Sequence, residues 1–164
     1  RTAYLELYNR SQEYLNAKPG ETAISAAQPD GDGSTHDAEK EVTHLLTTDQ
    51  RISLLQEIER VMGDTKEYCN SEFGIETLAS LVGSNSRYVS AAINEGYGKN
   101  FRSFLNEYRI KEAMRRLADV EHYGGYTIKA ISESVGYKSQ ANFISVFTKV
   151  TGMKPSIYQK LSKE

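Results

Sequence analysis

The chain has a single cysteine, Cys69, in 164 residues, so no intrachain disulfide can staple it. Its three histidines, His36, His44 and His122, lie too far apart for a zinc-ligand spacing, and no nearby histidine or basic cluster lowers the pKa of Cys69. Neither a metal site nor an activated thiol is expected, and a reducing compartment suits the composition. No run approaches the roughly 18 consecutive apolar residues of a membrane span, and no charged stretch followed by an apolar one opens the chain, so neither a spanning helix nor a signal peptide is predicted. Also missing are a Gly-rich phosphate loop, a G-x-S-x-G elbow and any carboxylate pair whose spacing demands acid/base chemistry. The expectation is a soluble protein that is not an enzyme and uses no cofactor. The chain opens at Arg1 without a methionine, which reads as a segment of a longer parent.

What is present begins with length: 164 residues make about one domain on a scale of roughly 150 residues per domain. Apolar residues supply 38 % of the chain, and the 12 glycines bring this to about 45 %, the low edge of ordinary globular usage, so part of the chain is expected outside the core. The formal net charge of −2 conceals an asymmetry. Residues 1–50 carry 4 basic against 9 acidic side chains, residues 51–164 carry 16 against 13, and from Ser86 onward the count is 13 against 7. A basic face in the far half is what a nucleic-acid partner would require.

Along the chain, Tyr4, Leu5, Tyr8, Ser11 and Leu15 recur at helical spacing over Thr2 to Lys18. Pro19-Gly20 ends that helix, and the stretch to about Asp37 has the Gly, Ser, Thr, Asp and Pro content of a linker, so residues 1–48 read as an N-terminal helix with an acidic flexible linker. A helix from near Asp49 to Met62 follows, with Thr47 or Thr48 as N-cap and Gly63 as its end, and it opens the packed domain, residues 49–164.

The most informative property is a weak internal repeat. Ile75, Leu78, Val82 and Gly83 recur as Ile128, Ile131, Val135 and Gly136, and Val89, Ile93 and Gly98 recur as Phe143, Phe147 and Gly152. Each copy reads as a short helix, a turn with glycine where a left-handed residue is wanted, and a second helix capped by Asn85 or Ser139. That is helix-turn-helix spacing, over about 75–97 and again over about 128–150. A helix over 101–117, capped by Asn100, joins the copies, and Pro155 suits the first turn of a closing helix that packs Ile157, Tyr158 and Leu161 on the second copy. The predicted fold is all-α: two helix-turn-helix subdomains joined by a long linker helix.

In a helix-turn-helix only the outward face of the second helix reaches base edges in a major groove. With Val89 and Ile93 inward, the first copy offers Arg87, Ser90, Ala91 and Asn94. Arg87 is the strongest reader, because its planar fork matches guanine O6 and N7, while Asn94 suits adenine or a phosphate. The second copy offers Ser139, Gln140, Ala141, Asn142, Ser145 and Lys149: Gln140 suits adenine, Ser139 and Asn142 phosphate oxygens, and Lys149 adds charge. Specificity is therefore expected to lean on the first copy and anchoring on the second. Arg109, Lys111, Arg115 and Arg116 on the joining helix read mainly as a solvated face laced with Glu107 and Glu112. Tyr108, Tyr137 and Tyr158 read as scaffold.

These residues resemble the DNA-binding domain of AraC/XylS-type transcription regulators from about Ile52 to Tyr158. The most specific stretch is Ile128 to Tyr158, with Gly136-Tyr137, Phe143, Phe147, Gly152, Pro155 and Tyr158; Leu78, Ala79, Gly83, Val89 and Gly98 match in the first copy, and Phe104, Tyr108, Arg109 and Ala113 in the joining helix. The resemblance implies two reading heads in successive major grooves of double-stranded DNA, activation by way of RNA polymerase, and reading positions at Arg87, Ser90, Ala91, Gln140, Ala141 and Ser145. Ala91, Ala92 and Ser145 depart from the larger or basic residues common there, which favours shape readout. The opening YLELYNRSQEYL and its acidic linker resemble the segment after the last membrane helix of larger membrane-anchored AraC-type sensors. That implies a cytoplasmic output module whose N-terminal region signals or forms a homodimer. A helical protein-interaction adaptor using the exposed second helices is the alternative of a different class, and a zinc-dependent methyl acceptor fails for want of a cysteine cluster.

Overall fold

The computed structural model describes residues 46–164; the helix expected over Thr2 to Lys18 and the acidic linker lie outside them. The described residues form helices and connecting turns with no strand among them, and they divide into two compact units within one continuous helix, after Tyr108.

The first unit opens with α1, Thr48–Asp64. Thr47 caps it reciprocally: its Oγ1 accepts from the Gln50 N–H at 3.2 Å, and the Gln50 Oε1 accepts from the Thr47 N–H at 3.0 Å. Gly63 does not end the helix as expected. Its φ stays out of the left-handed region, so α1 runs on to Asp64 and closes where the Thr65 hydroxyl donates to the Val61 carbonyl at 2.8 Å. A short 3-10 turn at Glu67–Cys69 leads to α2, Ile75–Leu81, and α3, Ser86–Tyr97. The core beneath them is built by Ile58, Met62, Leu78, Val89, Ala92 and Ile93, joined by Phe104 from the start of α4, Phe101–Ala118. Phe104 stacks on Tyr97 with centroids 5.3 Å apart, which fixes the end of α3 against α4.

Helix α4 is capped by Asn100, whose Oδ1 accepts from the Ser103 N–H at 2.9 Å, and its 18 residues span about 27 Å at 1.5 Å rise per residue. It continues into the second unit, residues 109–164. There α5, Val120–Tyr123, is a single turn that the sequence did not announce, capped by Asp119. Helices α6, Ile128–Ser134, and α7, Gln140–Thr151, follow, and α8, Pro155–Ser162, closes the chain. Aromatic rings run through this core in sequence, Tyr137 on Phe143, Phe143 on Phe147 and Phe147 on Tyr158, with centroids 5.3 to 5.8 Å apart. Helix α8 buries Pro155 and Tyr158 as expected but leaves Ile157 50 % and Leu161 42 % exposed, contrary to the sequence reading. Tyr158 packs on Phe147 on one side of α8, with the Gln159 amide on the Tyr126 carbonyl (2.9 Å) and the Lys163 ammonium on the Gly124 carbonyl (3.1 Å) beside it, and this seating leaves the Ile157–Leu161 stripe away from the core.

Candidate nucleic-acid interface

The two copies of the repeat build their turns with the same bonds. After α2, Gly83 takes φ +68°, its N–H donates to the Ser80 carbonyl at 3.2 Å, and the Ser84 N–H reaches back to Ala79 at 2.9 Å. After α6, Gly136 takes φ +101°, donates to Glu133 at 3.1 Å, and the Tyr137 N–H reaches Ser132 at 3.0 Å. Each is a Schellman closure, in which a left-handed residue satisfies the last free carbonyls of a helix, and only glycine enters that region without steric cost. A side-chain cap then starts the next helix: Asn85 Oδ1 accepts from the Tyr88 N–H at 3.0 Å and Ser139 Oγ from the Asn142 N–H at 3.2 Å. Helices α3 and α7 are both 12 residues long and both end on a glycine of positive φ, Gly98 and Gly152.

In α7 the expected outward set is in place. Phe143 and Phe147 are fully buried, and Ser139, Gln140, Ala141, Asn142, Ser145 and Lys149 are all exposed. In α3, Arg87 is exposed and its guanidinium forms no ion pair among the described residues, with Ser90 and Asn94 half-buried beside it. Ala91 is the correction. It is 1 % exposed, so it cannot meet a base edge. The reason is tertiary: Ala91 shares a helix side with Glu95, four residues on, and Glu95 is ion-paired to Arg51, which brings α1 over that side. At the same place in α7 the side chain is Ser145, and it stays in solvent.

The charges of α4 form the expected solvated face only in part: Lys111 and Arg115 are exposed, whereas Arg109 and Arg116 are not. Arg109 is buried, its guanidinium carbon 5.7 Å from the Tyr137 ring centroid. Glu112 is 6 % exposed and takes a fork from Arg115 (3.0 and 2.8 Å) together with the Nε of Arg116 at 2.8 Å. Arg116 also donates Nη1 to the Ser134 carbonyl at 2.8 Å. Ser134 is the last residue of α6, so Arg116 satisfies a carbonyl that the helix itself leaves free and holds the turn that leads into α7. The sequence signal for this was available in the Glu112–Arg116 spacing of four, but not the partner on α6. Arg109 and Arg116 are thus part of the fold, and the exposed cations of the second copy are Lys129, Lys138 and Lys149.

What the arrangement offers chemically is a pair of helices, each started by a polar cap, with rigid apolar backs and polar fronts made of donors, acceptors and cations. There is no cluster of metal-ligating side chains among the described residues, and no described helix is long and apolar enough to cross a membrane.

Comparison with known proteins places this geometry. The profile of the helix-turn-helix domain family matches residues 78–161. The chain is 29 % identical over 85 residues to YobQ of Bacillus subtilis, an HTH-type transcriptional regulator, covering 52 % of this chain and 34 % of that one. It is 24 % identical over 107 residues to the melibiose operon regulatory protein of Escherichia coli, covering 65 % of this chain and again 34 % of the other. The chain thus spans about a third of the length of these curated relatives. Among solved structures, a DNA-binding transcriptional dual regulator from Escherichia coli K-12 superposes with a TM-score of 0.56 at 25 % identity, over 65 % of this chain and 92 % of that one. The C-terminal domain of AraT, a response regulator from Geobacillus stearothermophilus, shares the fold with a TM-score of 0.55 at 24 % identity, over 66 % and 84 %. With two capped and glycine-closed helix-turn-helix copies on one all-helical frame, the chain belongs to the AraC-type helix-turn-helix domain family of transcription regulators.

Proposed function

We propose that this chain is the sequence-specific output module of a larger transcription regulator, binding double-stranded DNA with α3 and α7 in successive major grooves. The observation that carries the reading is the repetition of one device: two helices of equal length, each started by a polar side-chain cap and closed by a left-handed glycine, with an apolar back and a polar front that exposes Arg87 in α3 and Gln140, Asn142, Ser145 and Lys149 in α7. A packing motif alone gives no reason to repeat a polar presentation. Arg87 reads guanine with its fork, worth about 1–3 kcal/mol of discrimination, while Asn94 and Gln140 take adenine or a phosphate and Ser90, Ala141 and Ser145 contribute shape. Ser139, Asn142 and Lys149 anchor the backbone. In this reading residues 49–164 are the DNA-binding part, working in the cytoplasm and contacting RNA polymerase as an activator. Residues 1–48 then connect it to a membrane-anchored sensing region or to a second copy.

The test is selection from a random duplex library followed by a salt titration on the winning site. An enriched site with two blocks one helical turn apart is expected, with log K falling by about 0.9 per phosphate contact for each unit of log salt. No enrichment together with a shallow slope would favour the protein-interaction adaptor instead.

A further inference from the structure

Three consecutive residues at the end of the first reading helix are each held by one stripe of α1. Arg51 is ion-paired to Glu95. Leu55 lies over Gly96, where a Cβ would come within 2.7 Å of its Cδ1 and 3.0 Å of its Cδ2. Glu59 accepts the Tyr97 hydroxyl at 2.7 Å, and burial, reinforced by that bond, pushes the Tyr97 phenol above its ordinary range. Arg51, Leu55 and Glu59 are spaced by four, so they form a single ridge of α1, and Glu95, Gly96 and Tyr97 turn through most of a helical turn beneath it. Glycine inside a helix costs about 1 kcal/mol relative to alanine, yet α3 carries one where Leu55 of the ridge lies over it.

We infer that the Arg51–Leu55–Glu59 ridge is a positioning clamp for the first reading helix: it sets the rotation and seating of α3, and with them the aim of Arg87 and Asn94, without touching DNA. The inference rests on the DNA-reading function proposed above. Gly96 is the seat of the clamp, Glu95 and Tyr97 are its two polar latches, and none of the three lies among the reading residues. The ion pair is about one-third exposed, so its contribution is to orientation and not to holding the fold together. The α1 helix is also the element through which residues 1–47 join the reading head, so displacement of the ridge along α1 changes recognition directly.

The test compares affinity for the selected duplex with affinity for a random duplex, and takes their ratio so that changes in net charge cancel. The variants are Glu95→Arg, Arg51→Glu, the exchange carrying both, and Gly96→Ala. Each single charge reversal is expected to lower the ratio about threefold to tenfold, and the exchange to restore it to within about twofold, as a pair coupled only to each other requires. Gly96→Ala is expected to lower the ratio while leaving the melting temperature close to that of the unaltered protein, because the helix preference of alanine offsets the displacement of the Leu55 methyls. This variant decides the matter if a charge reversal fails to fold. Ratios equal to that of the unaltered protein overturn the clamp, as does an exchange that restores nothing, which would make Arg51 or Glu95 a direct DNA contact. If the unaltered protein itself shows no preference for any duplex, the reading of function fails before the clamp is reached.

Discussion

Truncating Glu112 to alanine is expected to be among the most destabilising single changes on α4, although it removes a charged side chain from a helix. Its carboxylate is 6 % exposed and receives hydrogen bonds from two guanidinium groups. The two losses are unequal. The Arg115 side chain is 44 % exposed and returns to water, so its share is that of an exposed pair, about 0.2–1 kcal/mol. Arg116 is 13 % exposed and fixed by its bond to the Ser134 carbonyl, so its charge loses its carboxylate with little water to replace it. Breaking a buried pair costs about 3–5 kcal/mol, and the residual exposure of Arg116 brings the expected total to about 3 kcal/mol. For a chain of this length that lowers the melting temperature by about 6–12 °C. Urea unfolding followed by circular dichroism measures it, in a cycle with Arg116→Met and the double variant. Because Glu112 and Arg116 bond each other, the double variant should cost less than the sum of the two single variants. A loss below about 0.5 kcal/mol for Glu112→Ala, or costs that simply add, would refute the assignment.

Three other outcomes are expected. Arg87→Ala should weaken binding to the preferred duplex by about 1–3 kcal/mol in a fluorescence anisotropy titration while random DNA is bound as before; an equal loss on both would remove Arg87 as a reader. Phe143→Ala empties a fully buried site between Tyr137 and Phe147 and should cost about 3–5 kcal/mol in urea unfolding, whereas a cost under 1 kcal/mol would contradict the ring chain as the core of the second unit. The His122 ring hydrogen-bonds Asp119 at 2.9 and 3.0 Å, which raises the imidazole above 6.5 and lowers the carboxyl below 3.8. The stabilisation from the histidine is complete below pH 6.5 and fades as pH climbs through the raised imidazole value; that from the carboxyl holds above 3.8 and fades as pH falls through the lowered one. An NMR titration of His122 should therefore show a midpoint above 6.5 that Asp119→Asn brings down, and a midpoint at or below 6.5 in the unaltered protein counts against the pairing.

Local chemistry carried the fold from sequence to structure. Thr47, Asn85, Asn100, Thr127 and Ser139 each cap the helix that follows them, and Gly83 and Gly136 take positive φ where the repeat required a turn. Such signals are readable because their partners lie within a few residues. Most of the misreadings involve partners far along the chain. Ala91 looked outward because periodicity sees one helix, whereas its burial follows from α1, tied to α3 by an ion pair 44 residues apart in sequence. Arg109 and Arg116 looked solvated because nothing in α4 foretells Tyr137 or the Ser134 carbonyl. Ile157 and Leu161 looked buried because apolar spacing fixes a stripe but not its direction, and in α8 the side that packs is the one carrying Pro155 and Tyr158. Gly63 failed as a stop because it does not take the left-handed conformation that Gly83 and Gly136 adopt.

The equal length of α3 and α7 has a consequence for how such a protein changes its target. With 12 residues between matching caps, Arg87 and Ala141 occupy the same second position and project at the same angle from their helices. In the DNA-reading function proposed above, the address is therefore written in interchangeable letters on two lines of fixed length. A point substitution such as Ala141→Arg edits one line without shifting the other or disturbing the frame, so recognition can drift by single codons while the scaffold that displays it stays still.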